Sequence, residues 1–212
     1  FRRGKPTTHK AFGEAIAMLA GDALIPLAFE LLSSPDASRL LGDSIATRLV
    51  YELATAIGGH GMVGGQALDI QIQGRKSVHE VNAGVSPCRE GPFDGEGSIS
   101  GEDIKRVSEL KTGALIRASA RCGAIVANAE EGALSLISRY GELIGLAFQV
   151  IDDIQDFLAG ERRPSFPALY GLEGSRDLAL KLIEEAKAQV GPLVQRGWAL
   201  LGMADMLAGM VK

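Results

Sequence analysis

Gly145-Leu-Ala-Phe-Gln-Val-Ile-Asp-Asp-Ile-Gln-Asp-Phe-Leu158 is a strongly apolar run that nevertheless carries Asp152, Asp153 and Asp156. A helix this apolar belongs in a core, where an ionised carboxylate is costly unless something positive neutralises it. Asp152 and Asp156 are four residues apart, so they project from one helical face a turn apart, with Asp153 beside them. No Lys or Arg lies in the same run. A hard divalent cation with oxygen ligands answers that charge, and Mg²⁺ usually shares such carboxylates with substrate phosphates. The alternatives are a solvated helix edge, or carboxylates that cap the N-terminus of a neighbouring helix. Apolar residues on every side of the run favour the buried, cation-neutralised reading.

Composition agrees on class. The chain has 212 residues, 46% hydrophobic and only 5% aromatic, with Ala and Leu abundant. That predicts an all-α bundle with one sizeable core, a single domain over residues 1–212. A formal net charge of −4 argues against nucleic acid as a partner. Two cysteines, Cys88 and Cys122, make no disulfide framework and fit a reducing compartment, the cytoplasm or an organelle stroma. No apolar stretch is expected to span a bilayer, and no signal peptide is visible. The opening Phe1-Arg2-Arg3 lacks an initiator Met, as expected of a fragment that has lost any targeting segment.

Periodicity and capping predict a succession of helices. Thr7 or Thr8 caps a helix from Lys10 to Leu32, kinked at Pro26, with Phe12, Ile16, Leu19, Ala20, Ala23, Leu27 and Leu31 on its buried side. Pro35 opens a second helix to Ile57. Five glycines within Gly58–Gln66 cost helix stability unless close backbone packing or a ligand requires small residues. Helical periodicity resumes over Gln66–Ile72. The stretch Lys76–Gly101 is rich in Gly, Pro, Ser and charge and reads as a long surface loop. Ser100-Gly-Glu-Asp103 looks like a capping box for a helix from Glu102 to Cys122. Further helices are expected at Glu130–Leu158, Ser175–Val190 and Leu193–Val211.

Cations are the counterpart of the aspartates. Arg2-Arg3-Gly4-Lys5-Pro6 places three cations in five residues before a helix, either a clamp for phosphoryl oxygens or an ordinary solvated basic turn. Lys111-Thr112 lies mid-helix, where a Lys could simply snorkel to the surface. Gln149 shares a helical face with Asp152 and can donate to an oxyanion. His9, His60 and His79 lack metal-ligand spacing, and there is neither a Ser-His-Asp pattern nor a Rossmann or Walker glycine motif.

Six collinear blocks now resemble one family. They are Arg2-Arg-Gly-Lys-Pro-Thr-Thr-His9, Leu19-Ala-Gly-Asp-Ala-Leu24, Gly64-Gly-Gln-Ala-Leu-Asp69, Lys111-Thr-Gly-Ala-Leu-Ile-Arg117, the run from Gly145 to Asp156, and Pro167-Ala-Leu-Tyr-Gly-Leu-Glu173. In this order they resemble the short-chain trans-prenyl diphosphate synthases, the farnesyl and geranylgeranyl diphosphate synthase type.

The resemblance implies an isoprenoid synthase helical bundle around a central apolar cavity. It implies that Asp152, Asp153 and Asp156 form the second aspartate-rich motif and bind Mg²⁺, with Asp152, Asp153 and Lys111 catalytic. Arg2, Lys111, Thr112 and Gln149 would bind an allylic diphosphate, and Arg3 isopentenyl diphosphate. The reaction would be 1′-4 condensation to a C15–C20 prenyl diphosphate, geranylgeranyl diphosphate slightly preferred. Charge stabilisation of the leaving diphosphate and exclusion of water from the allylic cation are the demands of that chemistry. A non-catalytic regulatory subunit and a class I terpene cyclase are the alternatives. The family also implies a homodimer, or a heterodimer, and the small residues of Ala54–Gly65 and Gly113–Ala127 permit close helix approach.

Three departures stand beside the resemblance. The first aspartate-rich motif is expected immediately before Arg2, which leaves the 212-residue chain with an expectation of little synthase activity. The usual lysine-bearing loop after the second motif is missing, because Asp156-Phe-Leu-Ala-Gly160 runs almost directly into Arg162-Arg-Pro-Ser-Phe-Pro167. The loop at Lys76–Gly101 is longer than the usual connection.

Overall fold

The computed structural model consists of α-helices and describes residues 1, 4–80, 99–161, 163–193 and 197–211. Among the described residues there is no strand, as the composition predicts. The chain forms two compact units, Phe1–Tyr51 and Glu52–Lys212.

In the first unit, α1 (Thr8–Phe12), α2 (Glu14–Leu32) and α3 (Pro35–Leu41) lead into α4 (Asp43–Ile57), whose end belongs to the second. The two helices expected over Lys10–Leu32 and Pro35–Ile57 are thus four. Gly13 (φ 86°) and Gly42 (φ 83°) divide them, in a backbone region that essentially only glycine occupies. Helix α2 continues through Pro26. Ser34 caps α3, its Oγ accepting from the Ala37 N–H at 3.1 Å, with Pro35 in the first turn. The face expected to be buried, Phe12, Ile16, Leu19, Ala20, Ala23, Leu27 and Leu31, is exposed, and no residue of α2 is buried. Apolar residues surround α2 rather than forming one stripe, so periodicity selects no inward face.

The second unit continues with α5 (Met62–Glu80), α6 (Gly101–Ser108), a π-helical segment (Glu109–Gly113), α7 (Ala114–Val126) and α8 (Glu131–Leu158). It ends with α9 (Phe166–Val190), a 3₁₀ turn (Gly191–Leu193) and α10 (Trp198–Ala208). The predicted capping box opens α6. Ser100 Oγ accepts from the Asp103 N–H at 3.1 Å, and the Asp103 carboxylate accepts from the Ser100 N–H at 2.9 Å. The helix expected from Glu102 to Cys122 changes pitch at the π segment and runs on to Val126. The loop expected from Lys76 starts later, because α5 reaches Glu80; residues 81–98, Cys88 among them, lie outside the described residues. Helix α9 starts before the expected Ser175 and is interrupted at Gly171 (φ 70°, ψ 173°).

Helix α8 packs against both α7 and α9, and α10 packs on α9. Ala147, Val150, Ile151 and Ile154 share one buried apolar cluster with Ala179, Ile183 and Ala186. Each fully buried Val or Ile side chain there contributes about 1.5–3 kcal/mol of transfer free energy.

Glycines set the helix spacing. A Cβ on Gly145 would stand 2.7 Å from the Gly113 Cα, and one on Gly141 would stand 2.7 Å from the Arg117 Cα. A Cβ on Gly65 would come closer still to the Lys111 backbone nitrogen. Gly65 and Gly113 belong to the segments expected to serve subunit contact, and both are occupied by packing within the chain.

Among the described residues two helices are long and apolar enough, by length and composition alone, to cross a bilayer, where none is expected. They are α2, with mean hydropathy 1.8, and α8, with 1.2. Of the apolar window of α8, 61% is buried within the protein, as a core helix requires, whereas none of that of α2 is.

Candidate active site

The π segment is where the site begins. A π turn re-aims the side chains that follow it, and such turns recur at functional positions. This one presents Lys111 and Thr112, and Gly65 and Gly145 let α5 and α8 approach the same stretch of backbone. Lys111 Nζ donates to Asp69 Oδ2 at 2.6 Å, a partly buried ion pair between the π segment and α5. Lys111 therefore does not simply snorkel to the surface.

Thr112 and Gln149 are brought together as the resemblance implies. The Thr112 hydroxyl donates to Gln149 Oε1 at 2.8 Å, and Gln149 Nε2 donates to Asp153 Oδ1 at 2.9 Å. This chain of bonds fixes the amide and ties the π segment to the aspartates one turn further along α8.

The three aspartates have separate surroundings. Asp153 is 4% exposed, and its carboxylate accepts from Gln149, from the Arg163 guanidinium at 3.3 Å, and from the Phe166 N–H at 3.1 Å. Phe166 is the first residue of α9, so Asp153 satisfies one of that helix's unpaired N–H groups. Helix capping, one of the alternatives open from the sequence, holds for this residue. Burial pushes the Asp153 carboxyl up from its ordinary value, against the opposing pull of Gln149, the Phe166 N–H and Arg163. Its hydrogen-bonding neighbours are all donors, an environment that suits the ionised form.

Asp152 and Asp156 are partly exposed, and their shortest cationic contact is again Arg163, at 3.9 Å and 2.5 Å. The positive partner missing from the apolar run is thus supplied by the connection to α9, which turns back after Gly160. Arg163 and Asp69 carry no visible role within the sequence blocks that contain them, because seven and forty-two residues of separation conceal their contacts. Arg2 and Arg3 lie outside the described residues.

Three carboxylates and one guanidinium leave the cluster a formal charge of −2. Oxygen-only donors carrying that charge suit a hard dication such as Mg²⁺, which binds through one or two carboxylates together with substrate phosphates. Among the described residues, no three His, Cys, Asp or Glu side chains converge as a metal-holding group.

Two hollows meet at Lys111. One of about 40 Å³ is of mixed character, with Asp69, Lys111, Gln149, Asp153 and Arg163 lining it together with Ile72, Ile104, Val107 and Pro164. An apolar one of about 620 Å³ runs along α7 and α8, past Thr112, Leu115, Ile116, Ile144 and Phe148, to Tyr140 and Met203. An elongated apolar molecule with an anionic head fits that juxtaposition of charge and grease.

Comparison with known proteins agrees with this architecture. The chain is 39% identical over 224 residues to a farnesyl diphosphate synthase of Escherichia coli, covering 97% of this chain and 67% of that protein. It is 33% identical to a dimethylallyltranstransferase of Fischerella ambigua, over 98% of this chain and 57% of that protein. It is 40% identical to geranylgeranyl pyrophosphate synthase 12, chloroplastic, of Arabidopsis thaliana, over 89% and 51%. The crystal structure of an FPP/GFPP synthase from Zymomonas mobilis superposes with a TM-score of 0.80 at 34% identity, covering 98% of this chain and 66% of that one. The chain spans from about half to two thirds of the length of these relatives. The pattern of one family, described as polyprenyl synthetase, matches residues 1–165. With an all-α fold, a collinear set of motifs and a matching three-dimensional neighbour, this chain belongs to the polyprenyl synthetase family.

Proposed function

We propose that the protein is a prenyltransferase condensing isopentenyl diphosphate with an allylic diphosphate, 1′-4, to a C15–C20 prenyl diphosphate, with geranylgeranyl diphosphate the preferred product. The observation that carries this reading is the position of Lys111, which is paired with Asp69 and lies between the small hollow lined by Asp69, Asp153 and Arg163 and the large apolar one. Diphosphate chemistry belongs on one side of it and a prenyl chain on the other.

Each residue then has a task. Asp152 and Asp156 would hold Mg²⁺, and when bound it supplies positive charge to a leaving diphosphate. Lys111 binds a diphosphate oxygen in exchange for part of its contact with Asp69. Thr112 and Gln149 orient the same group through their shared hydrogen bond. Asp153 positions Gln149 and the start of α9. The apolar side chains along the hollow, Ile116, Ile144 and Tyr140 among them, would form part of the surface that keeps water from an allylic cation.

The names of the relatives support product and substrate class, since they include farnesyl and geranylgeranyl synthases. Incubating the full-length protein with Mg²⁺, isopentenyl diphosphate and geranyl diphosphate tests the reading. Products of C15 or C20 are expected; chains of C30 or longer, or no condensation, would reject it. Asp152→Ala should lower kcat by about two to three decades. The protein also assembles as a homodimer, a proposal supported by the apolar, unburied α2. A stable monomer in sedimentation at micromolar concentration would contradict that.

A further inference from the structure

We infer that Arg163 is a stand-in counterion, holding the aspartates in the metal-free protein and giving way when metal and diphosphate arrive together. This rests on the assignment of Asp152 and Asp156 as metal ligands. Arg163 makes its shortest contact to each aspartate through the same nitrogen, Nη2, which reaches Asp156, Asp153 and Asp152 at 2.5, 3.3 and 3.9 Å. Arg163 Nε, meanwhile, is buried without a hydrogen-bond partner, and Glu161 stands 3.8 Å from it, beyond hydrogen-bonding range.

A second arginine in the same unit shows what a permanent anchor looks like. Arg121 forks onto Glu52 with Nε at 2.8 Å and Nη2 at 2.6 Å, and donates from Nη1 to Ser138. Every edge of that guanidinium is used, the geometry that makes arginine pairs strong. Arg163 has no such fork. It neutralises several carboxylates from one corner and leaves a donor unpaired, so less is lost when it departs.

Its placement suits departure as well. Arg163 sits on the connection between α8 and α9, not within either helix. The Asp153 carboxylate would keep its bonds to Gln149 and the Phe166 N–H without it. A dication seated on Asp152 and Asp156 and a guanidinium on the same oxygens repel each other at contact distance, so the two exclude one another. A diphosphate offers the displaced guanidinium a new anionic partner. Metal alone should then bind weakly, and metal with diphosphate strongly, a coupling that works reciprocally.

Mn²⁺ titration followed by electron paramagnetic resonance, with and without inorganic pyrophosphate, tests this without any turnover. Arg163→Gln should bind Mn²⁺ about tenfold more tightly than wild type in the absence of pyrophosphate, and gain less from its addition. Arg163→Lys keeps the charge and should stay near wild type. Equal or weaker binding by Arg163→Gln, or Arg163→Lys binding as tightly as Arg163→Gln, overturns the inference. Should Arg163→Gln not fold, a crystal structure of the wild type with Mg²⁺ and pyrophosphate decides. Arg163 off Asp156 is expected, and Arg163 still on Asp156 refutes it. Absence of Mn²⁺ binding in every form, pyrophosphate included, instead rejects the metal assignment itself and this inference with it.

Discussion

Gly145 on α8 rests against Gly113 at the end of the π segment, so closely that a methyl group on Gly145 would stand 2.7 Å from the Gly113 Cα. One residue before Gly113 is Thr112, and one turn beyond Gly145 is Gln149, whose side chains bond at 2.8 Å. The contact between two residues without side chains thus lies beside, and helps fix, the hydrogen bond between Thr112 and Gln149.

Gly145→Ala should destabilise the fold by about 1–3 kcal/mol through overpacking and push Thr112 away from Gln149. Urea unfolding measures the first effect, and under the proposed function a raised KM for the allylic substrate reports the second. A variant as stable as wild type would mean that the helices separate without cost.

Asp152 and Asp153 are adjacent but should fail differently. Asp153→Ala strands the Phe166 N–H, the Gln149 amide and part of the Arg163 charge, which costs about 2–4 kcal/mol. Asp152→Ala removes a partly exposed carboxylate 3.9 Å from its cation and should cost less than about 1 kcal/mol. Thermal melts of the two variants side by side are the check, and equal losses would disprove the division of roles.

Tyr140 lines the apolar hollow yet donates its hydroxyl to the Leu200 carbonyl at 2.6 Å. Burial pushes its phenol up to about 12. In the unfolded chain the phenol ionises near 10, so the unfolded state loses its proton first as pH rises. Stability from this group is complete below about pH 10 and falls through the interval up to about pH 12, by about 2–3 kcal/mol in total. Tyr140→Phe should cost about 1 kcal/mol at neutral pH and flatten the slope of unfolding free energy between about pH 10 and pH 12. An unchanged slope would place the titrating group elsewhere.

Arg121→Ala should cost about 2–4 kcal/mol, since it leaves Glu52 without its fork and Ser138 without a donor. A double-mutant cycle with Glu52→Ala should return about 1–3 kcal/mol of coupling. Additive losses would show that the pair is solvated in solution.

Much of this molecule is legible along the chain. Ser100 and Asp103 specify a helix start because capping is a contact over three residues, and the pitch of an apolar run specifies α8 over almost its full length. The helical class, the family and the aspartates follow from patterns that repeat within a turn or stand in a fixed order. Where periodicity carries no direction, as in the uniformly apolar α2, the same reading assigned a buried face that is exposed.

Contacts between distant stretches had to wait for the fold. Lys111 meets Asp69 across forty-two residues, and Arg163 turns back seven residues to Asp156 after the positive φ of Gly160. Each is a pairing of common charged residues with many equivalents in the sequence, so composition and spacing cannot choose among them. Backbone proximity at glycines, chain reversal and helix register choose instead. They decide which carboxylate is buried against the start of α9, which two stay partly exposed, and which arginine reaches all three.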